Sequence, residues 1–118
     1  MTVRDVLTQA QALGALQRSI NAFVDEFRGA TRDQRWAMIR KGPDASGPAE
    51  GLIAAVVSAL CREVSMRPPA WVGRTNSPQP FFAFPARGFA LRVRLMLESP
   101  PPFRCRNVFV PENYLRRA

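Results

Sequence analysis

The stretch FALRVRLMLES, Phe89 to Ser99, decides the fold class, because it can be read with two different periods. Phe89, Leu91, Val93, Leu95 and Leu97 alternate with Ala90, Arg92, Arg94 and Met96. That is the pattern of a half-buried strand with Arg92 and Arg94 on its wet face. Yet Ala, Leu, Arg and Met all favour a helix. The need for a pairing strand separates the two readings. No other segment has strand character of similar quality, and an unpaired strand is not stable. The segment is therefore read as a helix and the chain as mostly α. The architecture expected is a small single-domain helical bundle with a proline-rich, ordered C-terminal half. The alternative is an α+β fold with one strand at 89–97.

Upstream, the helical pattern is stronger. Val3, Val6, Leu7, Ala10, Leu13, Leu16, Ile20, Phe23, Val24 and Phe27 follow mostly in steps of three and four, the apolar stripe of one long helix. Thr2 can cap it, with Asp5 in its first turn. Gly29 suits a left-handed residue at its end. Val6, Leu13, Ile20 and Phe27 are seven apart, so a homodimer through that stripe is an expectation beside the plainer one of a core face. Thr31 and Gln34 form a capping-box pattern before a short second helix that would turn Trp36 and Ile39 inward. Pro48 can open a third helix with the body GLIAAVVSALCREVSM, apolar nearly all round until Arg62 and therefore central. Residues 1–66 are thus read as a three-helix part.

Residues 67–118 differ in character. They hold nine of the eleven prolines, and Pro68-Pro69 forbid continuation of the third helix. The loop that follows is pinned by Trp71, Phe81, Phe82 and Phe84, or else exposes them as a binding surface. At the far end, ESPPPFRCRNVFV places Arg104 and Arg106 around Cys105, between three prolines and an apolar run. Pro111 can start a last helical turn, with Glu112 at its positive end and Arg116 and Arg117 at its negative end.

With 118 residues, one domain is expected. The opening residues carry charges where a secretory signal would be apolar. The longest apolar run, from Leu52, is too short to span a bilayer. Two isolated cysteines are no disulfide framework, so the chain is read as cytoplasmic, with Cys61 in the core and Cys105 more exposed.

There is no histidine, which removes the commonest general base and metal ligand. Neither the cysteine spacing nor the glycine spacing matches a zinc, Walker or dinucleotide motif. Glu98 is the one acid beside an Arg-rich loop, and an ion pair with Arg94 or Arg104 explains it without catalysis. No catalytic residue, metal site or cofactor is assigned, and the chain is read as not an enzyme.

The charge is unevenly divided. Residues 1–66 carry eight basic and seven acidic side chains, whereas residues 67–118 carry nine arginines against Glu98 and Glu112. A net of +7 in the second half points to an acidic counterpart. Arginine forks bind carboxylate or phosphate through two hydrogen bonds. Arg92, Arg94, Arg104, Arg106, Arg116 and Arg117 are the candidates for one patch, with Trp71, Glu98 and Asn107 as further partner-binding residues. Aromatics interleaved with arginines also serve nucleic acid, which is the alternative ligand.

RPPAW, FFAF and the closing ESPPPFRCRNVFVPENYLRRA resemble the tail of small bacterial proteins of antitoxin-like or uncharacterised type. The shared pattern runs through Pro69, Ala70 and Trp71, then Glu98 to Pro101, Phe103, Arg104, Arg106 to Val110, Asn113, Leu115 and Ala118. The resemblance implies a non-catalytic protein that neutralises a partner, often a nucleotidyltransferase-type toxin. Some such proteins carry a helix-turn-helix before the tail. Residues 1–66 show no convincing one, so the resemblance does not extend DNA binding to this chain.

Overall fold

The computed structural model describes residues 1–9, 13–83 and 88–116. It is a mostly helical globule, with six helices and a two-stranded parallel sheet among the described residues. The helices are α1 (Val3–Gln9), α2 (Leu13–Gly29), α3 (Arg32–Ile39), α4 (Pro48–Glu63), α5 (Phe89–Glu98) and the single turn α6 (Pro101–Arg104). A 3₁₀ turn covers Ala70–Arg74, and the strands are β1 (Phe81–Phe82) and β2 (Val108–Phe109).

The single long N-terminal helix expected from the sequence is in fact a hairpin of α1 and α2, so the described residues before Arg67 hold four helices rather than three. The Met1 ammonium lies 2.9 Å from a Glu26 carboxylate oxygen. A continuous helix would set residues that far apart in sequence at a distance of roughly 37 Å. Folding back puts Val3 and Val6 of α1 into the same core as Leu16, Ile20, Phe23, Val24 and Phe27 of α2. Burial of both short stripes is the gain, and a 3.6-residue period reads the same whether or not the helix is interrupted. Val6, Ile20 and Phe27 therefore face the chain's own core rather than an outward seam, and the side chain of Leu13 lies outside the described residues.

At the end of α2, Gly29 does not take the left-handed conformation anticipated for it. The guanidinium of Arg35 caps the helix instead, donating to the carbonyls of Phe27 (2.8 Å) and Arg28 (2.9 Å) and lying over the Phe27 ring. These bonds satisfy carbonyls that a helix end leaves unpaired. The Thr31–Gln34 capping box opens α3, with both reciprocal bonds formed. Met38 and Ile39 are buried, but Trp36, expected inward, is 45% exposed.

α4 is the central helix: its residues from Gly51 to Val57, with Leu60 and Cys61, are buried. It is contacted by α1, α2, the 3₁₀ turn, α6 and β2. The hydrophobic core thus runs from Val3 to Tyr114 through both halves of the sequence.

The segment 89–97 is helical, not a strand. The two short strands lie where no strand pattern was evident. Phe81 pairs with Val108 and Phe82 with Phe109 in parallel. Trp71 is buried and Phe81 and Phe82 are half-buried, so these aromatics pin the loop; Phe84 lies outside the described residues. The last described segment is a set of turns rather than a helix, with Tyr114 N–H on the Pro111 carbonyl at 3.1 Å.

Candidate functional site

The ESPPPFRCRNVFV motif is mainly an internal fastening. Ser99 is buried, and its hydroxyl donates to the Val110 carbonyl (2.9 Å) and accepts from the Val110 N–H (2.8 Å). Pro101 sits at the start of α6, a position where its missing N–H costs nothing. Phe103 is driven into the core, edge-on to Tyr114 with ring centres 5.5 Å apart. The Tyr114 hydroxyl reaches back to Gln17 on α2 at 2.8 Å.

Arg106 and Asn107 belong to this fastening. The Arg106 guanidinium donates to the carbonyl of Val72 through Nε (3.3 Å) and Nη2 (3.1 Å), and to that of Pro102 through Nη1 (2.7 Å). Asn107 adopts φ +64°, a left-handed turn that Asn tolerates better than most residues. Its side-chain amide donates to the Ser77 carbonyl at 3.2 Å. Trp71 is likewise a core anchor. Its indole N–H donates to the Ile39 carbonyl at 2.7 Å, and its ring occupies the space beside Gly42 where a Cβ would lie 2.2 Å away. These three residues, assigned to the partner surface from sequence, hold the fold together.

The remaining arginines are arranged differently. Arg92 lies over the Phe82 ring at 5.2 Å. Arg94 forms an i,i+4 ion pair with Glu98 at 3.4 Å, with 78% of its side chain still exposed. Such a surface pair stabilises little and leaves the cation accessible. Arg104 is exposed on α6, and Arg116 is exposed at the chain end. Arg117 lies outside the described residues. Arg94 and Glu98 of α5 share a polar cleft of about 470 Å³ with Glu112, Asn113 and Arg116. The structure thus brings Arg94, Glu98 and Arg116 together with Glu112 and Asn113, and engages Trp71, Arg106 and Asn107 in internal hydrogen bonds.

The sequence reading missed the apolar side of α5. Among the described residues, five large apolar side chains are exposed, and Phe89, Leu91, Met96 and Leu97 of α5 are four of them. Phe89 is 85% and Leu97 74% exposed. The signal was present as a spacing of four between Phe89, Val93 and Leu97, but the alternation of the same residues with arginine masked it.

Cys61 is buried, and burial pushes its thiol up to about 11; Cys105 is exposed, and both are free. Among the described residues no three His, Cys, Asp or Glu side chains converge on one point, and no helix is long and apolar enough to cross a membrane. Compared with known protein families, curated proteins and solved structures, the chain matches none.

Proposed function

We propose that this chain is a non-catalytic binding protein that neutralises an acidic partner protein, in the manner of an antitoxin, through its basic C-terminal surface. One observation carries the reading. The fold uses Arg106 as a clamp and lays Arg92 on an aromatic ring, but it leaves Arg94, Arg104 and Arg116 at the surface. Among the described residues, Arg104 and Arg116 have no carboxylate within ion-pair distance. Guanidiniums that the fold leaves accessible at its surface favour an acidic partner. In a nucleotidyltransferase-type partner, carboxylates that hold magnesium are natural acceptors for such arginines.

The test is a charge reversal, Arg104→Glu with Arg116→Glu, in tagged protein purified at low salt from its own host. A stoichiometric protein that co-purifies with the wild type and is lost from the variant supports the proposal, provided the circular dichroism spectrum is unchanged. Nucleic acid in the eluate, released by ~1 M salt, moves the reading to phosphate recognition.

A further inference from the structure

Beside the four on α5, the remaining exposed large apolar side chain among the described residues is Trp36 on α3. It has no apolar company on its helix. Its neighbours at i−4, i−3 and i+4 are Arg32, Asp33 and Arg40, while Met38 and Ile39 turn into the core. Arg40 keeps helical backbone angles and donates its N–H to the Trp36 carbonyl at 2.9 Å, so helical geometry holds through it. Arg32, Trp36 and Arg40 therefore follow one another at about 40° around the axis and about 6 Å along it. An arginine stands on either side of the indole.

The fold does not use these cations. Arg32, Arg40 and the adjoining Lys41 are exposed, and among the described residues none has a carboxylate within ion-pair distance. The segment after α4 runs beside α3. Near the start of α3, Glu63 is paired with Arg28 at 2.6 Å, and at its end the Trp71 indole binds the Ile39 carbonyl at 2.7 Å. Between those two points of the chain lies Arg67, exposed and likewise unpaired among the described residues. The nearby acids have other roles. Glu63 is held by Arg28, and Asp33 sits in the first turn of α3, where it complements the positive helix end. Among the described residues no second ring or guanidinium lies over Trp36.

We infer that Trp36 and the cations around it bind single-stranded nucleic acid, with one base stacked on the indole and the phosphates to either side of it on Arg32 and Arg40. This surface lies in the N-terminal half and is independent of the C-terminal arginines. Its make-up selects the ligand. The core of a protein interface is apolar and poor in charge, so an acidic protein would want apolar neighbours around the indole. Trp36 has charged ones instead. A stacked base needs only one ring, and its own strand supplies an anion on each side. A duplex keeps its base faces inside the stack, so only an unpaired base can lie on the ring.

The probe is an oligodeoxyadenylate of about eight nucleotides, titrated into the full-length chain at low salt. Trp71 is buried, so quenching of tryptophan fluorescence reports a base on Trp36. That readout needs no variant and stands even if a substitution at Trp36 disturbs the fold. By anisotropy of the labelled oligomer, Trp36→Ala should weaken binding by about tenfold or more, and Trp36→Phe should keep most of it. Arg32→Gln with Arg40→Gln should flatten the slope of log affinity against log salt by about 1.4, the share of two phosphates in a single strand. Absence of quenching overturns the inference. So does binding that Trp36→Ala leaves intact, which would place the oligomer on other arginines. Polyglutamate of equal charge, bound as tightly and with the same dependence on Trp36, would make the surface an acidic-protein site instead. Sedimentation with phosphatidylserine vesicles that Trp36→Ala abolishes, without oligomer binding, would make it a membrane contact.

Discussion

Arg104 and Arg106 are two positions apart, and the fold treats them oppositely. Arg106 bridges the carbonyls of Val72 and Pro102, so it joins the loop after α4 to the turn after α6. Hydrogen bonds from a charged donor are worth about 1.5–3 kcal/mol each, and loss of the guanidinium leaves two carbonyls without that partner. Arg106→Ala should lower the unfolding free energy by about 2–3 kcal/mol in urea. Arg104→Ala should stay within about 0.5 kcal/mol, as exposed substitutions do. Equal losses would show that Arg106 is no clamp. Gly42 is a second such point. A methyl group there would meet the Trp71 ring at 2.2 Å, so Gly42→Ala must displace the indole from its bond to Ile39. Overpacking of this kind costs about 1–3 kcal/mol, and the Trp71 fluorescence should report the displacement. Neither role was legible in advance. An Arg-x-Arg spacing does not say which guanidinium turns inward, and a Gly-Pro pair reads as a turn whether or not a ring packs on it.

At the scale of elements, the types were easier to read than the joints and faces. The capping box of α3, the proline start of α4 and its burial follow from local residue chemistry. The α1–α2 hairpin did not, because its two stripes are in phase and no Gly-Pro signal stands between them. Nor did the sheet, since β1 and β2 hold two residues each, too short for any period. For α5, the missing partner strand selected helix correctly. The direction of its face was hidden, because a helix normally turns its widest apolar stripe inward. Here the inward contact is Leu95, against Phe82 and Phe109. Leu95→Ala should therefore loosen α5 without unfolding the bundle. By hydrogen exchange, α5 amides should lose protection while those of α4 keep theirs, because a weakly anchored element opens locally. Equal loss of protection in both helices would mean that α5 is part of the main cooperative unit.

For the whole molecule, the decisive fact is that one core joins the nearly neutral first half to the strongly basic, proline-rich second half. α4 is enclosed by α1 and α2 on one part of its surface and by the 3₁₀ turn, α6 and β2 on another. A fragment ending at Met66 would bare that second part, so it should show no cooperative unfolding transition. The same core sets an alkaline limit. Burial pushes the Tyr114 phenol from 10.0 up to about 12, partly offset by its bond to Gln17, and the Cys61 thiol from 9.0 up to about 11. Both groups hold their protons more tightly when folded. Above its ordinary value each is deprotonated in the unfolded chain first, so the unfolded state binds fewer protons and stability falls as pH rises. Both contributions are complete below pH 9.0, decline first through Cys61 and then through Tyr114, and are exhausted near pH 12. Tyr114→Phe should lower stability at neutral pH through the lost bond to Gln17, by about 1 kcal/mol. It should also flatten the decline between pH 10.0 and about 12, while the earlier part, owed to Cys61, persists. Urea midpoints across that range test this through their slope. An unchanged slope in the variant would place the alkaline titration elsewhere than in the Phe103–Tyr114 contact that fastens the C-terminal segment to the helices.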